Sequence, residues 1–104
     1  MRIPEKLRIA GVDYSVEQKE IVRYEGAECY GFIDFDSSLI QISNECSGEQ
    51  NKVLTLLHEI LHGLIYHYNV EVDDEEKLVC GLSKGLYQVL SDNEKALFGG
   101  KDET

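Results

Sequence analysis

The chain predicts an α+β fold: a small antiparallel sheet of three to four strands followed by two main helices. Three observations carry this. Apolar and polar residues alternate in short runs over residues 1–45, the period of half-buried strands. From residue 48 the apolar residues recur at three- and four-residue steps, the period of a helix. Finally, 42% hydrophobic and 29% charged residues in 104 positions is the balance of one ordinary globular domain.

The elements follow in order. Leu7 and Ile9 alternate, Ala10-Gly11 breaks the run, and Val12, Tyr14 and Val16 resume it, which predicts a hairpin. Residues 17–28 are charged and weakly patterned, with Ile21 and Val22 as the start of one further strand. Tyr30, Phe32 and Asp34 alternate with Gly31, Ile33 and Phe35; Asp36-Ser37-Ser38 is turn chemistry, and Leu39, Ile40 and Ile42 return as a strand. Tight turns of this kind imply antiparallel pairing, with residues 39–43 as an exposed sheet edge. Ser47 followed by Gln50 reads as a capping box, in which each side chain satisfies an orphan backbone N–H. The first helix then runs over residues 48–68 on a face of Val53, Leu57, Ile60, Leu61, Leu64 and Tyr68, with Asn69 as its stop. Asp73-Asp74-Glu75-Glu76 opens the second helix, over 74–91, because negative charge is favoured at a helix N-terminus. Leu78, Val79, Leu82, Leu86, Val89 and Leu90 supply its buried stripe, and Gly81 and Gly85 within it suggest close packing. Ala96, Leu97 and Phe98 form a last short turn, and residues 101–104 are a loose tail.

Charge and cysteine content narrow the function. Twenty acidic residues against ten basic ones give a net charge of −10. Such a surface repels phosphate backbones and anionic bilayers, so neither nucleic acid nor membrane is the expected partner. The longest apolar stretch, residues 53–68, is interrupted by His58, Glu59, His62 and His67 and does not read as a membrane span. Three cysteines, Cys29, Cys46 and Cys80, form no disulfide framework and share no CxxC spacing. With no signal-peptide pattern, the expected compartment is the cytoplasm, with reduced thiols and Cys80 packed in the second helix.

His58-Glu59-Ile60-Leu61-His62 is the strongest chemical signal. Residues four apart on a helix project from the same side, so both imidazoles can reach one metal ion. Glu59 lies about 100° around the axis from His58, beside such an ion rather than on it. From there it can take a proton from a water that zinc has acidified. The bland alternative, two half-buried histidines and an exposed glutamate, leaves a polar triplet on an apolar helix unexplained. A hydrolytic zinc site needs a third protein ligand. His67 points about 140° away from His62 and reads as an exposed helix-end residue. Glu75 lies at the centre of the stripe of Val79, Leu82, Leu86 and Val89 and is the favoured ligand; Glu76, one step off, is the alternative, and Asp73 and Asp74 read as cap and solvated charge. Tyr30, Tyr66 and Tyr87 are candidate oxyanion donors, each more simply explained as a half-buried tyrosine.

The HEILH helix, the acidic gap, residues 81–93, and the strands at 30–34 and 39–42 together resemble the small phage-encoded members of the ImmA/IrrE-type metallopeptidases, over roughly residues 30–93. The resemblance implies a minimal zincin-like domain. It implies His58 and His62 as zinc ligands, Glu59 as general base and an acid near Glu75 as third ligand. The expected function is therefore a zinc-dependent endopeptidase acting on a protein or peptide substrate. The competing expectation is a non-catalytic, zinc-stabilised scaffold that binds a host or phage protein through its acidic surface.

Overall fold

The computed structural model describes residues 1–99, and the expected tail at 101–104 lies outside them. Six strands precede three helices: β1 (Lys6–Ile9), β2 (Val12–Lys19), β3 (Val22–Tyr24), β4 (Ala27–Cys29), β5 (Gly31–Asp34), β6 (Leu39–Ser43), α1 (Gly48–Tyr68), α2 (Glu75–Asp92) and α3 (Glu94–Phe98). The α+β class is as the patterning predicts. Two-residue turns close both N-terminal hairpins: Ala10-Gly11 joins β1 to β2 and Glu25-Gly26 joins β3 to β4, all four residues at positive φ. That twist matches the right-handed twist of the flanking strands.

The expected all-antiparallel sheet is corrected in one respect. The main sheet has four strands in the order β1-β2-β6-β5, and β2 pairs with β6 in parallel, Ser15 opposite Leu39 through Lys19 opposite Ser43. Short turns set only the β1–β2 and β5–β6 pairs. The segment between β2 and β6 holds β3, β4 and β5, long enough to return the chain in the same direction. This places β6 in the sheet interior. The free edge beside it is β5, not residues 39–43 as the sequence suggested. The weakly patterned stretch before β5 forms its own hairpin, β3–β4, anchored by buried Val22 and by Tyr24 stacked on Phe32 of β5 at 4.9 Å.

One face of the sheet carries the core: Ile9, Tyr14, Val16, Ile33, Ile40 and Ile42 pack with Cys46 and Leu56. Helix α1 lies across that face. Its buried residues are Val53, Leu56, Leu57, Glu59 and Gly63, whereas Leu64 and Tyr68, expected on the buried face, are exposed. Two close approaches seat the helix. A Cβ on Gly63 would stand 3.1 Å and 3.2 Å from the Cδ1 atoms of Ile9 and Ile33, and one on Gly31 would stand 2.7 Å from Thr55 Cγ2 and 2.9 Å from the Gln41 carbonyl oxygen. The Ser47–Gln50 capping box does not form. Ser47 is the N-cap without a side-chain cap bond, and its hydroxyl instead accepts from Asn51 Nδ2 at 3.0 Å. Gly48 at φ +83° turns the backbone out of the geometry that a capping box needs. At the other end Asn69 adopts the left-handed conformation, and its N–H closes back on the last turn.

Helix α2 begins where the acidic run placed it. Asp74 is its N-cap and accepts from the Lys77 N–H at 3.1 Å. Its buried face is not the leucine stripe. Val79 and Ser83 are buried, whereas Leu82 and Val89 are 52% and 54% exposed and Leu78 and Leu86 also reach solvent. The reading by apolarity passed over Ser83, a small residue whose hydroxyl is satisfied by the Cys80 carbonyl at 3.2 Å. Among the described residues no helix is long and apolar enough to cross a membrane.

Candidate metal centre

The polar side chains converge where α1 faces α2. His58 and His62, one turn apart on α1, bring their Nε2 atoms to 3.2 Å from each other. Glu76, on the first turn of α2, lies against both: Oε2 stands 3.1 Å from His58 Nε2 and Oε1 3.0 Å from His62 Nε2. Glu75 meets the opposite side of the second imidazole, with Oε2 2.6 Å from His62 Nδ1. The two neighbouring glutamates therefore hold different nitrogens. Glu76 faces the atoms that converge, and Glu75 orients the ring that carries one of them.

Donor atoms bound to one tetrahedral zinc lie roughly 3.3–3.8 Å apart, as bond lengths of about 2.0–2.3 Å require. The two nitrogens and the Glu76 oxygens are near that spacing, and imidazole with carboxylate is a donor set zinc accepts. Cys80, one turn after Glu76, extends the group. Its thiol donates to Glu76 Oε2 at 3.4 Å, and donor atoms of His58, Glu76 and Cys80 all lie within 4.8 Å of one another, close enough to hold a metal ion. Spacing within the sequence had marked Cys80 only as a packing residue. The signal for it was the i, i+4 step from Glu76, which mirrors the step from His58 to His62.

The electrostatics of the cluster are mutual. Burial lowers the His58 pKa, and the repulsion of His62 adds to this against the attraction of Glu76. Burial also acts downward on His62, but the Glu75 hydrogen bond together with the charges of Glu59 and Glu76 outweighs it and holds the pKa above its ordinary value. Burial acts upward on Glu76, and its bonds to Cys80 and the two histidines outweigh this, leaving the carboxyl below its usual range. Glu59 is the buried member, 7% exposed, and burial pushes its carboxyl up to about 7.

Glu59 and His58 line two cavities. One is bounded by Tyr30, Gly31, Thr55, Cys80 and Lys84, the other by Tyr24, Phe32, Phe35, Glu75 and Glu76. Edge strand β5 borders both through Gly31. The remaining candidates lie apart. His67 is half-buried rather than exposed, with Nε2 2.6 Å from the hydroxyl of fully buried Tyr14. Tyr66 stacks on Phe35 at 3.8 Å, and Tyr30, 64% exposed, stands at the mouth of the first cavity. Asp73 is exposed beside the Asp74 cap. Compared with protein-family models, curated proteins and solved structures, the chain gives no match.

Proposed function

We propose that this protein is a zinc-dependent metallo-endopeptidase in which His58, His62 and Glu76 hold the ion, Glu75 orients His62 and Glu59 is the general base. One observation carries the reading: two Nε2 atoms and a carboxylate converge within 3.2 Å beside a buried glutamate. Glu75, favoured from the sequence as third ligand, is the better orienting partner, because its oxygen meets Nδ1 rather than the converging Nε2. A carboxylate on the far nitrogen of a ligand histidine fixes the tautomer and raises ligand basicity. Zinc bound there supplies Lewis acidity, polarising a carbonyl and acidifying water. Glu59, with a pKa near neutrality, is placed to accept a proton from an attacking water and to return it to the leaving amine. Edge strand β5 offers backbone to which an extended peptide can pair, next to both cavities. The resemblance of residues 30–93 to ImmA/IrrE-type metallopeptidases points the same way.

The test is zinc content and cleavage of a broad peptide pool, measured on one preparation each of wild type, His62→Ala and Glu59→Gln. Stoichiometric zinc should be present in wild type, lost in His62→Ala and kept in Glu59→Gln. Hydrolysis by Glu59→Gln should fall by about 10²–10⁴-fold, the range for losing a general base. Zinc retained by His62→Ala overturns the ligand assignment, and cleavage unchanged in Glu59→Gln overturns the mechanism. A second reading, a zinc-stabilised scaffold that binds a protein partner without cleaving it, is favoured by Cys80, which groups with His58 and Glu76 within 4.8 Å and, added to His62, would bring the protein donors to four, the number of a structural site. Zinc-loaded wild type that cleaves nothing supports it.

A further inference from the structure

We infer that Cys80 is an internal fourth ligand, so that the resting centre is closed by two imidazoles, one carboxylate and one thiolate of this chain. The inference rests on the metal-binding part of the reading above and not on peptidase activity. Its basis is an arrangement of two helices. His58 and His62 occupy successive turns of α1, and Glu76 and Cys80 occupy successive turns of α2. Each pair spans one helical turn and so presents its donors on one side. The pairs meet across the α1–α2 contact: Glu76 touches both imidazoles, and Cys80 touches Glu76 and stands within 4.8 Å of His58. The thiol is half-buried and lines the same cavity as His58 and Glu59.

On binding, the Cys80 thiol releases its proton to solvent and the sulfur takes the position that a hydrolytic site leaves to water. No electron is transferred. Thiolate is a strong zinc donor, and two nitrogens, one oxygen and one sulfur complete a tetrahedron. Among His58, Glu76 and Cys80 the donors must close by about 1 Å from the 4.8 Å limit to the spacing of bound donors, and Cys80 must also turn toward His62, whose Nε2 lies 3.2 Å from that of His58; rotamer change at a half-buried cysteine is the movement required. A centre of this kind hydrolyses only when Cys80 withdraws, which makes the residue a built-in restraint on the site.

Cobalt(II) replaces zinc as the probe. Wild type, Cys80→Ser and Cys29→Ser are each loaded with one equivalent of cobalt and their near-ultraviolet spectra recorded. The expected result is a thiolate-to-cobalt charge-transfer band in wild type and Cys29→Ser that is lost in Cys80→Ser. Stoichiometric cobalt without the band overturns the inference and leaves the His58–His62–Glu76 centre standing. A band that survives Cys80→Ser also overturns it. No binding of cobalt or zinc overturns both the inference and the reading beneath it. Wild type alone supplies a second measurement, independent of how the variants fold. Alkylation of Cys80 by iodoacetamide, followed by peptide mapping, should slow roughly tenfold or more when zinc is added to chelator-stripped protein, because the free thiolate is the nucleophile. An unchanged rate overturns the inference.

Discussion

Glu59 is a carboxyl on the buried face of α1, between Leu56 and Gly63, and its protonation links the site to stability. Its folded pKa of about 7 lies above the ordinary carboxyl value of 4.5, so the folded chain holds this proton more tightly than the unfolded chain. The resulting stability is complete below the unfolded value and is lost as pH rises through the folded one. In protein stripped of metal, Glu59→Gln should therefore be more stable than wild type above pH 7, by up to about 3 kcal/mol, with the gap closing toward pH 4.5. Urea titrations across that range check it; a gap that does not change with pH contradicts the assignment of burial as the cause. A second residue-scale expectation separates the two glutamates. Glu76→Gln should weaken zinc binding more than Glu75→Gln, because Glu76 meets both Nε2 atoms while Glu75 meets only Nδ1 of His62. Loss of the orienting carboxylate should cost about 10–100-fold in affinity. Competition against a zinc chelator measures both, and the reverse order would make Glu75 the ligand. The sequence left these two residues open because they differ by one helical step. Which of them meets Nε2 depends on how α2 is rotated against α1, and that rotation was misjudged from the leucines.

At the scale of elements, α1 was legible in its extent and its stop, though not in its N-terminal cap or its full buried face. Its period, its length and its Asn69 stop are local properties, and a 21-residue amphipathic run leaves little choice. The buried face of α2 was not legible, because apolarity marks what can be buried rather than what is. Ser83 packs inward with its hydroxyl satisfied, while Leu82 and Val89 stand in solvent. The parallel β2–β6 pair was equally hidden. Strand periodicity identifies strands and their faces, and only turn length speaks of pairing, so partners separated by three strands leave no local mark. Gly31 read as one residue of an alternating run, yet it fits where α1 comes closest to the start of β5. Gly31→Ala should destabilise the fold by about 1–3 kcal/mol, the usual cost of overpacking. The Thr55 methyl, where a Cβ would stand at 2.7 Å, can rotate, but the Gln41 carbonyl at 2.9 Å belongs to the central strand and cannot yield without breaking the ladder. Thermal unfolding measures the loss, and the paired change Gly31→Ala with Thr55→Ser tests how much of it the methyl carries.

Across the whole molecule, the sheet and the donor cluster have separate origins in the chain. Every donor named above lies between His58 and Cys80, on one helical hairpin, while the sheet that supports the hairpin pairs residues 15–19 with 39–43. Non-local strand pairing requires loop closure before any contact rewards it, and such closures set folding rates. The parallel pair that confines β6 to the sheet interior therefore makes a kinetic statement about the metal. Where the helical hairpin sets only after that closure, an ion gripped by α1 and α2 acts on the exit from the native state rather than on the entry. In stopped-flow experiments zinc should slow unfolding by the full factor of the stabilisation it confers, and chelation should restore the faster rate, while the refolding rate changes little. Faster refolding with zinc would mean that the helical hairpin captures the ion first and nucleates the fold. With the order expected here, the metal sets the lifetime of the folded protein.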